Sequence, residues 1–220
     1  RWPESGLPPP AEVSMPFGTY LVPLAATPEA LWSGLHPHHR RQISKAKKAG
    51  VEVVWHWDAT RFHPLLEETY ALGGKKTQFS VPYLRTLLHH LQGRVLTVGA
   101  VNAGELVAAL MIPHDAARGY YLHGGRSVGA PSGAAHLLHW EVMLRLRSMG
   151  VGAYDLGGAR LETEDPRLAG IFTFKSRFGG LFEPCVWWRA DVQPVKARLV
   201  DVLSGLRELW SPRRGNGGAR

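Results

Sequence analysis

Hydrophobic and polar residues recur along the chain with two periods, one typical of helices and one typical of strands. Phe62, Leu65, Leu66 and Leu72 lie at helical spacing, which predicts an amphipathic helix over residues 59–72. With glycine and proline as boundaries, the pattern predicts further helices at residues 28–35, 38–49, 81–91, 134–149, 171–178 and 194–210. Strands are predicted at residues 19–24, 51–57, 94–101, 106–113, 119–123, 151–156 and 181–192.

The order of these elements predicts the fold class. Residues 102–105 form a predicted hairpin turn between two strands, and a third strand follows at 119–123. These three antiparallel strands lead into a loop rich in Gly and Ser and then into the long helix at 134–149. This order is typical of an α/β fold of the mixed-sheet (α+β) kind, with helices on both faces of the sheet.

A strand that ends in two glycines precedes a short helix in which a lysine lies between aromatic residues. Asp155 and the glycine pair 157–158 end the strand, and glycines let a backbone approach a ligand where a Cβ would clash. Lys175 follows between Phe174 and Phe178. Such a lysine has two interpretations. In the first, the apolar part of its side chain lies along apolar surface and its ammonium reaches water. In the second, its ammonium is fixed and faces a phosphate or a developing oxyanion.

Composition indicates a globular protein with a substantial core. The 220 residues are 45% hydrophobic and 20% charged, enough for one large domain or two small ones. No run approaches the roughly 18 apolar residues of a membrane span, and no secretory signal is visible after Arg1. Cys185 is the only cysteine, which excludes an internal disulfide and suits a cytoplasmic protein.

The charge favours polyanionic partners. The net charge is +8, which suits nucleic acid, phosphorylated substrates or the anionic inner face of a membrane, where the protein would be peripheral. Part of this charge is concentrated in the predicted helix 38–49. Its basic face is either simply solvated or an edge that binds RNA or phosphate, for which the candidates are Arg40, Arg41, Lys45 and Lys48.

The eleven histidines do not form a recognisable metal motif. His36, His38 and His39 are clustered, as are His89 and His90. Neither group has a cysteine partner or the spacing of a His-x-x-x-His site with a glutamate base. We therefore predict surface histidines and no metal site.

Four stretches of the sequence together resemble a known family. They are residues 27–32 with 40–51, residues 120–125, residues 136–141, and residues 154–158 with 174–180. The element order is similar to the GNAT acyltransferase fold, and the four stretches resemble the Fem family (FemABX-like) of peptidoglycan aminoacyltransferases. The resemblance covers about residues 19–190.

The resemblance implies an enzyme that forms an amide bond. Fem enzymes move an amino acid from aminoacyl-tRNA to an amine of a muropeptide precursor, lipid-linked or nucleotide-linked, without a metal, another cofactor or an acyl-enzyme. Lys175 would then stabilise the oxyanion of the attacked ester, and Phe174 would shape its pocket. Asp155 is either a turn residue or the acceptor of a proton from the attacking amine. The implied substrate-binding residues are Tyr83, Arg85, Tyr120, Tyr121, Gly124, Gly125, Arg126, Gly157 and Gly158.

The likeness also predicts how the chain is divided. Residues 1–50 form a lead-in with the basic helix, as a remnant of a first GNAT-like unit, residues 51–210 form the acyltransferase domain, and residues 211–220 form a disordered basic tail. Fem enzymes usually contain two such units, whereas this chain has one complete unit.

Two other functions remain open at this stage. The first is a CoA-dependent GNAT N-acyltransferase, whose acyl-CoA pyrophosphate would lie on the loop 126–133, before a helix N-terminus. That loop lacks both the phosphate-loop lysine and the dinucleotide spacing of glycines. The second is a non-catalytic RNA-binding module that uses the basic helix.

Overall fold

The computed structural model describes residues 13–160, 163–189, 195–196, 199 and 202. The chain divides into two compact units, of which Pro16–Cys185 is the larger and contains nearly all of the described residues. The smaller unit consists of Arg1–Met15 and Val186–Arg220. The predicted tail and most of the predicted helix 194–210 lie outside the described residues, and the predicted division at residue 50 stays a prediction.

The described residues form helices and strands in mixed order. The helices are α1 (Pro28–Gly34), α2 (Pro37–Lys48), α3 (Ala59–Ala71), α4 (Val81–His90), α5 (Ala134–Ser148) and α6 (Pro166–Ser176). The strands are β1 (Val13–Pro23), β2 (Glu52–Val54), β3 (Val95–Asn102), β4 (Glu105–Pro113), β5 (Arg118–Tyr120), β6 (His123–Arg126), β7 (Ala153–Asp155), β8 (Ala159–Arg160) and β9 (Leu181–Arg189). None of the described helices is long and apolar enough to cross a membrane.

Strands β2, β3, β4 and β6 form an antiparallel sheet in that order. Strand β4 shows why the sheet carries helices on both faces. Leu110 and Ile112 enter one buried cluster, with residues of α2 and α5, whereas Ala109 and Met111 enter another, with residues of α3 and α4. Because neighbouring side chains of a strand point to opposite faces, each face of β4 is covered by a different helical layer. The predicted α/β class with helices on both faces is confirmed.

The remaining strands form a second sheet, in the order β5–β7–β1–β8, and β9 also pairs with β1. Strands β5 and β7 are parallel. Ala159 and Arg160, for which no strand was predicted, pair with β1 as β8. Helix α6 also begins earlier than predicted, because Asp165 accepts a hydrogen bond from Arg167 N at 2.9 Å and Pro166 occupies the first turn.

The two sheets separate at Tyr121 and Leu122. The predicted strand 119–123 is broken there into β5 and β6. The backbone N–H of Tyr121 donates to Asp155 O at 2.9 Å, in the second sheet, whereas the N–H of Leu122 donates to Met111 O at 3.2 Å, in the first. The N–H groups of Tyr121 and Leu122 therefore hydrogen-bond to different sheets, although the two residues are consecutive. The candidate site lies beside them.

Gly125 allows β6 to pack directly against α3. A Cβ at Gly125 would lie 2.7 Å from the backbone carbon of Leu65, a contact that no side-chain rotation can relieve. We expect Gly125→Ala to lower the free energy of unfolding by about 1–3 kcal/mol, the usual effect of overpacking a core. Urea unfolding of the purified variant measures this change.

Gly170→Ala is the matched control. Gly170 lies inside α6 with no atom within 4 Å of an added Cβ. Alanine there should raise the free energy of unfolding by roughly 0.5–1 kcal/mol, because glycine weakens a helix interior. Equal stability of the two alanine variants would contradict the close packing of β6 on α3.

Candidate active site

Lys175 lies in the last turn of α6 and is almost completely buried, with 7% of its surface exposed. Its Nζ donates hydrogen bonds to Gly157 O at 2.9 Å and to Gly158 O at 3.1 Å. Backbone carbonyls carry partial negative charge and so replace part of the water that an ammonium loses on burial. The lysine is therefore a fixed donor group inside the protein.

The protonation of Lys175 is set by its burial. Removal from water lowers the pKa of Lys175 to about 8, and the negative charge of Asp155 acts in the opposite direction. With this pKa the side chain is still mostly protonated at neutral pH. It can therefore donate a hydrogen bond to an anionic group under physiological conditions.

The turn after β7 presents the two carbonyls to Lys175. Gly157 has φ +73°, and a Cβ there would lie 3.1 Å from Tyr121 O, so glycine is required both by conformation and by space. Asp155 Oδ1 accepts hydrogen bonds from Gly157 N at 2.8 Å and from Thr19 Oγ1 at 2.5 Å. This oxygen of Asp155 therefore fixes the turn, in agreement with the turn interpretation, while its role as a proton acceptor stays a prediction.

Tyr121 forms the neighbouring wall of the site. The centroid of its ring lies 5.7 Å from Lys175 Nζ, within cation–π range. Burial raises the pKa of Tyr121 to about 12, so the hydroxyl keeps its proton. A Cβ at Gly124 would lie 2.2 Å from this hydroxyl oxygen, so glycine is what lets the tyrosine take this position.

Three histidines that the sequence analysis did not select surround the last turn of α6. The ring of Phe174 lies 5.3 Å from that of His39, 5.0 Å from that of His136 and 5.5 Å from that of His139. His39 and His139 are each only 1% exposed. The prediction of surface histidines is wrong for these two, because α2 and α5 bury them against Phe174.

Burial keeps this histidine cluster neutral. Removal from water, together with the smaller effect of neighbouring histidines, lowers the pKa of His39 to about 4 and that of His136 to about 3. His139 Nδ1 is hydrogen-bonded to the Tyr154 hydroxyl at 2.8 Å, and burial holds its pKa well below the usual range. The candidate site therefore contains one ammonium within a shell of neutral aromatic rings.

The predicted RNA- and phosphate-binding residues lie together on one surface. They border a cavity of about 500 Å³, here called the basic pocket, which is lined by Trp32, Arg40, Arg41, Ser44, Lys45 and Lys48. Arg40 is partly occupied there, because its Nη1 donates to Ser33 O at 2.8 Å and to Leu35 O at 2.7 Å, at the C-terminal end of α1. Lys47 lies outside this lining and pairs with Glu141 at 3.4 Å.

Four other predicted substrate-binding residues have exposed side chains. Tyr83 is exposed and stacks on Phe79, with the two ring centroids 5.4 Å apart. Arg85 is 4.0 Å from Asp58 on the same exposed surface. The side chains of Tyr120 and Arg126 are also exposed. Their roles in binding stay predictions, whereas Gly125 has the packing role described above.

The loop 126–133 already uses some of its polar groups within the protein. Val128 N donates to the carboxylate Oε2 of Glu68 at 2.8 Å. Ser132 Oγ donates to Gln42 Oε1 at 2.6 Å. The backbone N–H of Val128, one of the donors on the loop where an acyl-CoA pyrophosphate was predicted, is therefore bound to a carboxylate in this structure.

The chain matches a known protein family. Residues 37–175, more than half of the chain, match the family described as acetyltransferase (GNAT) domain. The chain belongs to the GNAT acetyltransferase family. The predicted GNAT fold is therefore confirmed, and the family is described as one of acetyltransferases.

Several solved structures are similar in fold to this chain. FemX matches with a TM-score of 0.69 at 14% identity, over 83% of this chain and 63% of FemX. The C-terminal domain of a putative lysylphosphatidylglycerol synthetase from Agrobacterium fabrum matches with a TM-score of 0.56 at 15% identity, over 87% of this chain and 66% of that domain. L-PGS from Bacillus licheniformis matches with the same TM-score and coverage at 16% identity.

These likenesses show a shared fold. The chain spans just under two thirds of the length of each of the three structures. No curated protein matches the sequence significantly.

The depressed pKa of Lys175 predicts how stability depends on pH. The unfolded chain binds this proton up to its ordinary pKa of 10.5, whereas the folded chain releases it at about 8. Between these values the unfolded state binds more protons, so the native state gains stability as pH rises. The penalty for burying the charge is present in full below pH about 8.

We expect Lys175→Met to lack this gain. From pH about 7 to about 10.5, the free energy of unfolding of the natural protein should rise relative to that of Lys175→Met by on the order of 3 kcal/mol. Urea unfolding at a series of pH values measures the difference. Lys76→Met, at an exposed loop position, is the control, and a Lys175→Met difference that is flat with pH contradicts the burial of a charged lysine.

Proposed function

We propose that the protein transfers an aminoacyl group from aminoacyl-tRNA to an amine of a peptidoglycan precursor, with the Lys175 ammonium stabilising the oxyanion. The observation that carries this proposal is the buried Lys175, fixed by the carbonyls of Gly157 and Gly158 where the two sheets separate. An activated ester needs no nucleophile from the protein. A positioned amine and a stabilised tetrahedral oxyanion are sufficient.

The proposed reaction has two steps. The amine nitrogen attacks the ester carbonyl carbon, a C–N bond forms, and the carbonyl π electrons move to the oxygen. Among the described residues, two carbonyls accept two of the three N–H bonds of Lys175, and the third is available to this oxyanion. The intermediate then collapses, the C–O bond of the ester breaks, and the proton of the amine passes to the leaving hydroxyl oxygen.

The basic pocket supports a nucleic-acid donor. Four cationic side chains line it next to Trp32, which combines the charge that phosphates require with an aromatic ring. FemX and a lysylphosphatidylglycerol synthetase domain share the fold, and the second name denotes a lipid esterified with an amino acid. With the sequence resemblance described above, these likenesses favour an aminoacyl donor and a muropeptide amine as acceptor.

A CoA-dependent N-acyltransferase is the second candidate. The observation in its favour is that the matching family is described as an acetyltransferase domain. Val128 N, bound to Glu68 Oε2 at 2.8 Å, argues against a pyrophosphate on the loop 126–133 as it stands. Parallel transfer assays with acetyl-CoA and aminoacyl-tRNA, each with a muropeptide amine, separate the two candidates, because only the true donor should give product.

Lys175→Ala tests the proposed oxyanion donor. We expect kcat for aminoacyl transfer to fall roughly 100- to 1000-fold, the usual cost of removing one such donor. The KM for the donor should change little, because the contact forms only in the transition state. The measurement is single-turnover transfer of a radiolabelled amino acid from tRNA.

Lys76→Ala is the control for this assay, since Lys76 is an exposed lysine outside the described site. Circular dichroism and the Tm of both variants establish that they are folded. A folded Lys175→Ala protein with unchanged kcat would exclude the oxyanion role.

The double variant Lys45→Glu, Lys48→Glu tests the basic pocket. If both lysines contact tRNA phosphates, the variant should bind tRNA more weakly, and the slope of log K against log salt should fall in magnitude by roughly 1 to 2. Filter binding over a range of salt concentrations measures both quantities. Lys75→Glu, Lys76→Glu makes the same charge change on an exposed loop, and an equal effect in the two double variants would mean that net charge alone governs binding.

A further inference from the structure

Three histidines from two helices form a compact cluster beside Phe174. His38 and His39 lie in the first turn of α2, and His136 lies in the first turn of α5. Each offers one ring nitrogen, and the three nitrogens lie within 4.8 Å of one another. The sequence separation of about one hundred residues explains why no metal-binding motif is visible in the sequence.

The orientation of His39 is the second, independent observation. Its Nε2 lies 3.0 Å from Phe174 O. Because a carbonyl can only accept, Nε2 must carry the proton and donate it, which leaves a lone pair on Nδ1. Nδ1 is buried, His39 is only 1% exposed, and among the described residues this atom has no hydrogen-bond partner.

A buried nitrogen with a free lone pair is costly unless something binds to it. A metal ion satisfies this requirement, and histidine ligands of metals usually donate their other ring N–H to a carboxylate or a backbone carbonyl. His39 has this arrangement through Phe174 O. Neutral imidazole is a preferred ligand of zinc and related divalent transition metals.

We propose that His38, His39 and His136 form a binding site for a divalent transition-metal ion of the zinc type. Three protein ligands leave one tetrahedral position open to water or another ligand. His38 and His136 are only half-buried, so the ion has a path from solvent.

Positive charge near the three histidines opposes the binding of a cation. Arg40 and Arg41 follow His39 directly along α2, and the positive ends of α2 and α5 face the cluster, so the local field disfavours any cation. Only an ion that gains strongly from nitrogen coordination can bind here. The site should therefore take Zn²⁺ or Co²⁺ and should not take Mg²⁺ or Ca²⁺, which prefer oxygen ligands.

Metal titration of the untagged, chelator-treated protein tests this proposal. We expect a single Zn²⁺ ion per chain in competition with a chromophoric chelator, a tetrahedral visible spectrum with Co²⁺, and a Tm that rises with Zn²⁺ concentration. His38→Gln and His136→Gln should each weaken Zn²⁺ binding by more than the roughly 10- to 100-fold cost of losing an outer-shell partner. None of these measurements depends on transfer activity.

His89→Gln, His90→Gln is the matched control, because this pair is exposed on α4. It should bind Zn²⁺ as the natural protein does. Circular dichroism in the presence of chelator shows which variants are folded. If His136→Gln does not fold, Zn²⁺ binding by His38→Gln is the deciding measurement. Absence of Zn²⁺ binding, equal binding by folded His38→Gln, or loss of binding in the α4 variant would each overturn the proposal.

Discussion

The burial of one ammonium group constrains the centre of this structure. An ammonium loses much of its hydration inside a protein, and in the native fold the carbonyls of Gly157 and Gly158 offset part of that loss. The turn that presents these two carbonyls begins at Gly157, whose backbone lies in the left-handed region with φ +73°. The position of Lys175, the end of β7 and the need for glycine therefore depend on one another.

The same constraint explains why the site lies where the sheets separate. Tyr121 N donates to Asp155 O, which ties β7 to the end of β5, and the next peptide group turns to β4. The separation leaves room for the Tyr121 ring beside Lys175 Nζ.

Periodicity predicted the elements that carry strong local patterns, among them the helix 59–72 and the strands at 94–101 and 106–113, which appear as α3, β3 and β4. It did not predict the break at Tyr121, because that break depends on contacts with two different sheets. The burial of His39 was also missed, although His39, Ile43 and Ala46 share one face of α2. That spacing was the available signal, but histidine alone indicates neither core nor surface.

The state of Lys175 decides which chemical role it can take in the proposed reaction. A general base must be unprotonated before the reaction, and a lysine with a pKa of about 8 is mostly protonated at neutral pH. As an ammonium it gains most when negative charge develops next to it in a site of low polarity, where Coulomb interactions are less screened than in water. The neutral His139 and the rings of Phe174 and Phe178 provide such surroundings. Asp155 Oδ1 already accepts one hydrogen bond from Gly157 N in the turn and one from Thr19 Oγ1 in β1, so direct transfer of the amine proton to the leaving oxygen is the step that requires least from the protein.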